Sequence, residues 1–148
     1  MSYATGEEAL LDVIRRVHGY NQYNTSRGNW RVLNKGASDH YVILRQGGWT
    51  AAYVSMCTLQ ITYRTVVEVW QRYKDDTTSY IDLLGHTNEL VVGIEPERLL
   101  GGTAGVIDAS VKEAGQPAEM WKKGGGPAWL KQEFIVEWLH QTDVTFTD

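Results

Sequence analysis

Two long stretches of this chain alternate apolar and polar positions with a period of two. From Thr58 to Trp70, Leu59, Ile61, Tyr63, Thr65, Val67 and Val69 fall on one side and Gln60, Thr62, Arg64 and Glu68 on the other. From Trp129 to His140, Leu130, Phe134, Val136 and Trp138 oppose Lys131, Glu133 and Glu137. Side chains on a strand point alternately to the two faces, so both stretches predict strands with one face on a core and the other in water.

Between and before them the period changes. Leu10, Val13, Ile14 and Val17 follow helical spacing over Glu7 to His18. Thr5 and Glu8 are placed as a capping box, and Gly19 as the stop. A second helix is predicted after Asp75, with Asp76 or Thr77 as N-cap and a stripe of Tyr80, Leu83, Leu84, Thr87, Leu90 and Val91. Gly93 and Pro96 end it. Gly85 inside it lowers helix propensity by about 1 kcal/mol relative to Ala.

The remainder is read from turn chemistry. Gly19 to His40 is rich in Asn, Gly and Ser and predicts turns, with a short edge strand over Arg31 to Leu33. Tyr41 to Arg45 predicts a strand closed by Gln46-Gly47-Gly48, and Trp49 to Val54 one that pairs back across those glycines. Val106 to Ala114 predicts another strand. Gly115 to Pro127, with Gly124-Gly125-Gly126, predicts a long loop. The expected fold is one α+β domain over residues 1–148, a mainly antiparallel sheet with two helices packed on one face.

Composition narrows the function. The net charge of −4 and pI near 5.5 speak against a dedicated nucleic-acid binder, though a weakly acidic wall would let DNA pass without trapping it. Cys57 is the single cysteine, which excludes an internal disulfide or a Cys-rich metal site. Met1 to Leu11 has no basic, apolar leader character, and no apolar run is long enough for a membrane helix, so a cytoplasmic, non-membrane protein is expected. Six Trp and eight Tyr against two Phe favour half-buried surfaces and interfaces, while cross-strand packing is the plainer use.

Candidate chemistry is sparse. His18, His40, His86 and His140 are scattered, without metal-ligand spacing. Cys57 is expected to be a small half-buried thiol at a strand start. Ser38-Asp39-His40 has triad residue types, but neighbours on one turn seldom converge, and it is read as a polar loop. Gly101-Gly102-Thr103-Ala104-Gly105 lacks a phosphate-loop Lys and is read as a turn. Glu95 and Glu97 have no opposing acid–base partner. Trp121 with Lys122 and Lys123 is the best patch for an anionic partner, against the plainer reading of a solvated tip. Neither a catalytic residue, a metal nor a cofactor is expected.

The order of elements resembles a known family. The helix Glu7 to His18, the strand Tyr41-Val42-Ile43-Leu44-Arg45, the strand Leu59-Gln60-Ile61-Thr62-Tyr63-Arg64, the helix after Asp75-Asp76, and a closing strand with Phe134-Ile135-Val136-Glu137-Trp138 look like the tail terminator proteins of long-tailed phages. The resemblance covers nearly the whole chain and is one of element order and strand texture. It implies a structural virion protein, assembled in the host cytoplasm, whose hexameric ring caps the tail tube and meets a head-completion or connector protein, with DNA passing through. Trp49, Tyr53, Trp70, Tyr73, Trp121, Lys122 and Lys123 are the expected contact residues on this reading. The alternatives are another neck or tail protein (head-closure, tail-completion or tube subunit) and a ligand-binding domain of the nuclear transport factor-like kind, which would need a deep pocket with converging polar groups.

Overall fold

A computed structural model describes residues 3–35, 38–75, 77–102, 106–121 and 127–145. In chain order the elements are α1 (Tyr3–Arg15), β1 (Thr25–Arg27), α2 (Val32–Lys35), β2 (His40–Tyr53), β3 (Thr58–Arg72), α3 (Thr78–Ile94), β4 (Val106–Ala114), β5 (Ala118–Trp121) and β6 (Pro127–Asp143). The six strands form one sheet in the order β1-β2-β3-β6-β4, with β5 also pairing with β6. Every pairing is antiparallel except β1 with β2. The chain is thus an α+β fold with α1 and α3 packed on one face of the sheet.

The alternation read from the sequence decides which face they cover. Val42 and Leu44 of β2, Val67 and Val69 of β3, and Leu130, Phe134, Val136 and Trp138 of β6 meet Leu10, Val13 and Ile14 of α1 and Leu83, Leu90 and Ile94 of α3. These side chains are almost wholly withdrawn from water, and the burial of so much apolar area is the main stabilising term. Two glycines set how closely the layers approach. A Cβ at Gly6 would lie 2.7 Å from the Trp138 ring, and one at Gly93 would lie 2.6 Å from Val17 Cγ2.

The opposite face is not simply wet. Tyr41, Ile43, Trp70 and Trp129 form a second, smaller apolar cluster there, covered by Val32 and Leu33 of α2 and by Met120 and Ala128. Arg31 to Leu33, expected as an edge strand, contributes instead to this one-turn helix, and the edge strand is β1. Part of the expected loop after Gly115 is strand β5, which follows β4 along the same side of β6.

The helix ends also differ from the expected ones. α1 begins at Tyr3, before Thr5, so Thr5 is not its cap. The Tyr3 ring stacks on Trp138 at 5.4 Å and its hydroxyl donates to Glu7 Oε2 at 2.6 Å, which anchors the first turn. At α3, Thr77 is the N-cap residue, as expected, but makes no side-chain cap; Asp75 Oδ1 instead accepts the backbone N–H groups of Thr77 and Thr78 at 3.1 and 2.6 Å. Asp76 lies outside the described residues. α1 ends at Arg15 rather than His18, so Gly19, expected as its stop, lies instead in the turn closed by the Tyr20 N–H on Val17 O, with a φ of +92°.

Candidate functional site

The glycines after Arg45 do not turn the chain. β2 runs through them to Tyr53, and the reversal falls at Val54 to Cys57. Gly47 and Gly48 together oppose Arg64, because Gln46 pairs with Thr65 and Trp49 with Tyr63. This is a β-bulge, and Gly48 takes the left-handed φ of +94° that it needs. The extra residue changes which way everything beyond it points. Without it, Trp49 and Tyr53 would continue on the face of Arg45. With it, they join Tyr63, Ile61 and Leu59 on the helix-side face.

The result is an arm, the far half of the β2–β3 hairpin, braced by β6 as far as Asp143. Its helix-side face carries Trp49, Ala51, Tyr53, Leu59 and Ile61, and its other face Thr50, Ala52, Gln60 and Thr62. The arm extends the core face of the sheet beyond the helices that cover it. Every residue from Gln46 to Cys57 is exposed, with Trp49 58% and Met56 88% accessible. No charged residue or histidine occurs between Gln46 and Tyr63. An apolar, charge-free projection of this kind is unusual on a protein surface, where charge keeps strand edges apart.

A second uncovered apolar surface lies on α3. Ser79, Leu83, Thr87, Leu90 and Ile94 face the core, whereas Tyr80 and Leu84, expected on that stripe, are exposed. With Ile81 and Val92 they give the helix an apolar outer face, flanked on one side by Asp82 and Glu89. Gly85 sits in the middle of it, and a Cβ there would meet nothing within 4 Å.

The other groups of interest are satisfied locally. Glu68, 3% exposed, accepts the indole N–H of Trp30 at 2.7 Å and of Trp70 at 3.1 Å, and the Arg45 guanidinium at 2.7 Å. Arg45 also binds Glu133 at 2.7 Å, and Lys131 lies 3.0 Å from the same carboxyl. Burial pushes the Glu133 carboxyl up, but Lys131 and Arg45 together outweigh it and hold it below the usual carboxylate range. An open groove of about 400 Å³ runs over these groups, with Val66 and Ile135 in its lining. Its charges neutralise each other, so none is left to converge on a ligand.

The histidines are less scattered than their spacing suggests. His40 at the start of β2 and His86 on α3 stack at 4.4 Å, with Tyr20 edge-on to both. Burial, and then the His40 ring, lower the pKa of His86. Among the described residues no group of three or more His, Cys, Asp or Glu is placed to hold a metal ion. Asp39 pairs with Lys74 at 2.6 Å rather than with His40, so the Ser38-Asp39-His40 run builds no triad.

Of the expected contact residues, Trp49 and Tyr53 stand exposed on the arm. Trp70, 6% exposed, belongs to the small cluster and presents no surface. Tyr73 packs against the main core. Trp121 ends β5, and Lys122 and Lys123 lie outside the described residues. Cys57 is exposed at the arm's tip rather than half-buried. The helical spacing that predicts Tyr80 and Leu84 inward hides the outer face of α3, on which both are exposed. The scarcity of charged residues from Thr78 to Ile94, where Asp82 and Glu89 are the only acidic or basic side chains besides His86, is the signal for it. No helix among the described residues is long and apolar enough to cross a membrane. No family model matches the chain, and no curated protein matches it either.

Proposed function

We propose that this chain is a structural virion protein, a ring-forming tail terminator of a long-tailed phage that caps the tail tube and joins it to the head connector. The observation that carries the assembly part is the arm, an exposed ribbon with Trp49 and Tyr53 on one face and no charge from Gln46 to Tyr63. Exposing such a surface permanently costs solubility, and covering it against a partner removes that cost. Withdrawing it from water strands no charge, which keeps the desolvation penalty of the contact low. The virion part rests on the order of elements, helix, strands, helix and closing strands, which supports the resemblance to tail terminators. On this reading the protein is not an enzyme, its partners are itself, the tube protein and the connector, and DNA passes through an acidic ring without specific contacts.

The test is the solution mass over a wide concentration range by light scattering, with negative-stain imaging of the heaviest fraction. Discrete six-membered rings that never stack, and that bind the ends of purified tail tubes, are expected. Stacking into tubes would make the chain a tube subunit instead. A monomer at every concentration, also in the presence of tube ends, would refute the proposal.

A further inference from the structure

The ring reading leaves open what covers the arm. We infer that the apolar face of the arm lies on the outer face of α3 in the next copy of the chain, with one of its aromatic side chains seated in the notch at Gly85. This inference rests on the ring reading and adds the two surfaces that meet.

Four observations point to a second copy as the occupant. First, the arm's apolar face is a continuation of the face on which the chain packs its own helices, so the surface it calls for is an apolar helix. Second, α3 offers one. It is buried inwardly through Leu83 and Leu90 and apolar outwardly through Ile81, Leu84 and Val92. A helix apolar on both sides belongs between two layers, and the described residues supply only one of them. Third, the arm face carries no charge, and on α3 the exposed carboxylates of Asp82 and Glu89 stand along one edge of the outer face, where they stay in water while Ile81, Leu84 and Val92 are covered. Fourth, Gly85 weakens the helix, and no neighbour within the chain requires a glycine there. On the helix surface Gly85 is bordered by Ile81 and Asn88 on one side and by Asp82 and Glu89 on the other, and the missing side chain leaves a shallow notch that a projecting ring can fill.

The dimensions agree. The arm strand from Gln46 to Tyr53 spans about 25 Å at strand rise. α3, from Thr78 to Ile94, spans about 25 Å at helical rise. A strip of that length and about 15–20 Å wide gives about 800–1,000 Å² in total, less than a stable pair of proteins usually buries. A single contact is therefore weak. The arm and α3 are different surfaces, so the contact is heterologous, and each copy in a closed ring makes it twice. Closure is what makes the contact persist.

The single native cysteine tests the geometry, because Cys57 lies at the arm's tip. Ile81→Cys and Val92→Cys, made separately, place a thiol near each end of the outer face of α3. Mild oxidation of the assembled protein should give a ladder of disulfide-linked species with one of the two variants, and none with the native sequence or after Cys57→Ser. Gly85→Leu, which fills the notch at a position with open space, should raise the concentration needed for assembly at least tenfold while the circular dichroism of the protomer stays unchanged. Rings that form normally in Gly85→Leu, or rings that link through neither cysteine, would overturn the inference and leave the ring reading standing. Linkage between two Cys57 residues in the native sequence would mean tip-to-tip contact and would also overturn it. Absence of any assembly by light scattering would instead remove the ring reading beneath it.

Discussion

Gly85 and Gly93 stand eight residues apart on the same helix, and the same substitution should move stability in opposite directions. Replacing an interior helical glycine by alanine gains about 1 kcal/mol by lowering the conformational entropy of the unfolded chain. At Gly85 nothing opposes that gain, since the new methyl group meets open space. At Gly93 the methyl would stand 2.6 Å from Val17 Cγ2, well inside van der Waals contact, so Val17, in the turn after α1, must be pushed aside. Overpacking of this kind costs about 1–3 kcal/mol, which cancels or exceeds the propensity gain. A chain of 148 residues has an unfolding entropy of about 0.3 kcal/mol per degree. Gly85→Ala should therefore raise the melting temperature of the protomer by about 3 °C, and Gly93→Ala should lower it by a few degrees. Urea titration with a shared m-value, at concentrations low enough to keep the protein monomeric, gives the free energies directly. Stabilisation by Gly93→Ala equal to that by Gly85→Ala would show that Val17 does not press on α3 as described. Loss of stability in Gly85→Ala would mean that the notch is occupied within the protomer, and the argument for an outside occupant would fail with it.

Three further outcomes are expected. Glu68→Ala leaves two indole N–H groups without their acceptor, while Arg45 keeps Glu133, and should cost about 1–3 kcal/mol, read by denaturant titration; a loss below about 0.5 kcal/mol would show the network to be dispensable. Trp70→Ala should cost about 3–5 kcal/mol and Trp49→Ala less than about 0.5 kcal/mol in the protomer, so that equal effects would contradict their burial of 6% and 58% exposed. His86 has a lowered pKa in the fold, so it binds fewer protons there than in the unfolded chain, whose value is 6.5. Its contribution should be fully present above pH 6.5 and be lost as the pH falls through the lowered value. His40, Tyr20, Glu89 and Asp82 are the titratable groups acting on this cluster, and His86→Gln should flatten this part of the pH–stability curve. An unchanged slope would refute the assignment.

How far each element could be read from the sequence followed the range of the interactions that specify it. β3 and β6 were legible because alternation is a local property, and the structure extends them by only a few residues beyond Trp70 and His140. β4 covers the expected Val106 to Ala114, and Gly115 follows its end. The bulge was not legible. Gly47-Gly48 is equally good chemistry for a hairpin turn, and only the pairing of Trp49 with Tyr63 across the sheet decides for the bulge. α2 and β5 exist because Tyr41, Ile43, Trp70 and Trp129 need covering on the second face, a requirement invisible before the sheet is assembled. The exposed aromatics were half legible. Trp49 and Trp70 look alike in sequence, but one lies beyond the reach of α1 and α3 and the other beneath Val32 and Leu33.

The position of β6 in the sheet has a consequence for how the chain folds. It is the last strand in sequence, yet it lies between β3 and β4 and pairs with both along most of their length. Until it arrives, β3 has an open edge, β4 has no strand beside it, and Trp138 is missing from beneath α1. The β2–β3 hairpin forms early because its partners are close in sequence, but the core must wait for a contact such as that between Val67 and Phe134. Such long-range pairing makes folding slow and keeps an apolar, charge-free hairpin in the open meanwhile. A ribosome emitting this chain therefore releases its most adhesive surface first and the strand that completes the sheet last. Slow refolding at low concentration and losses that grow steeply with concentration should mark the same chain in the test tube.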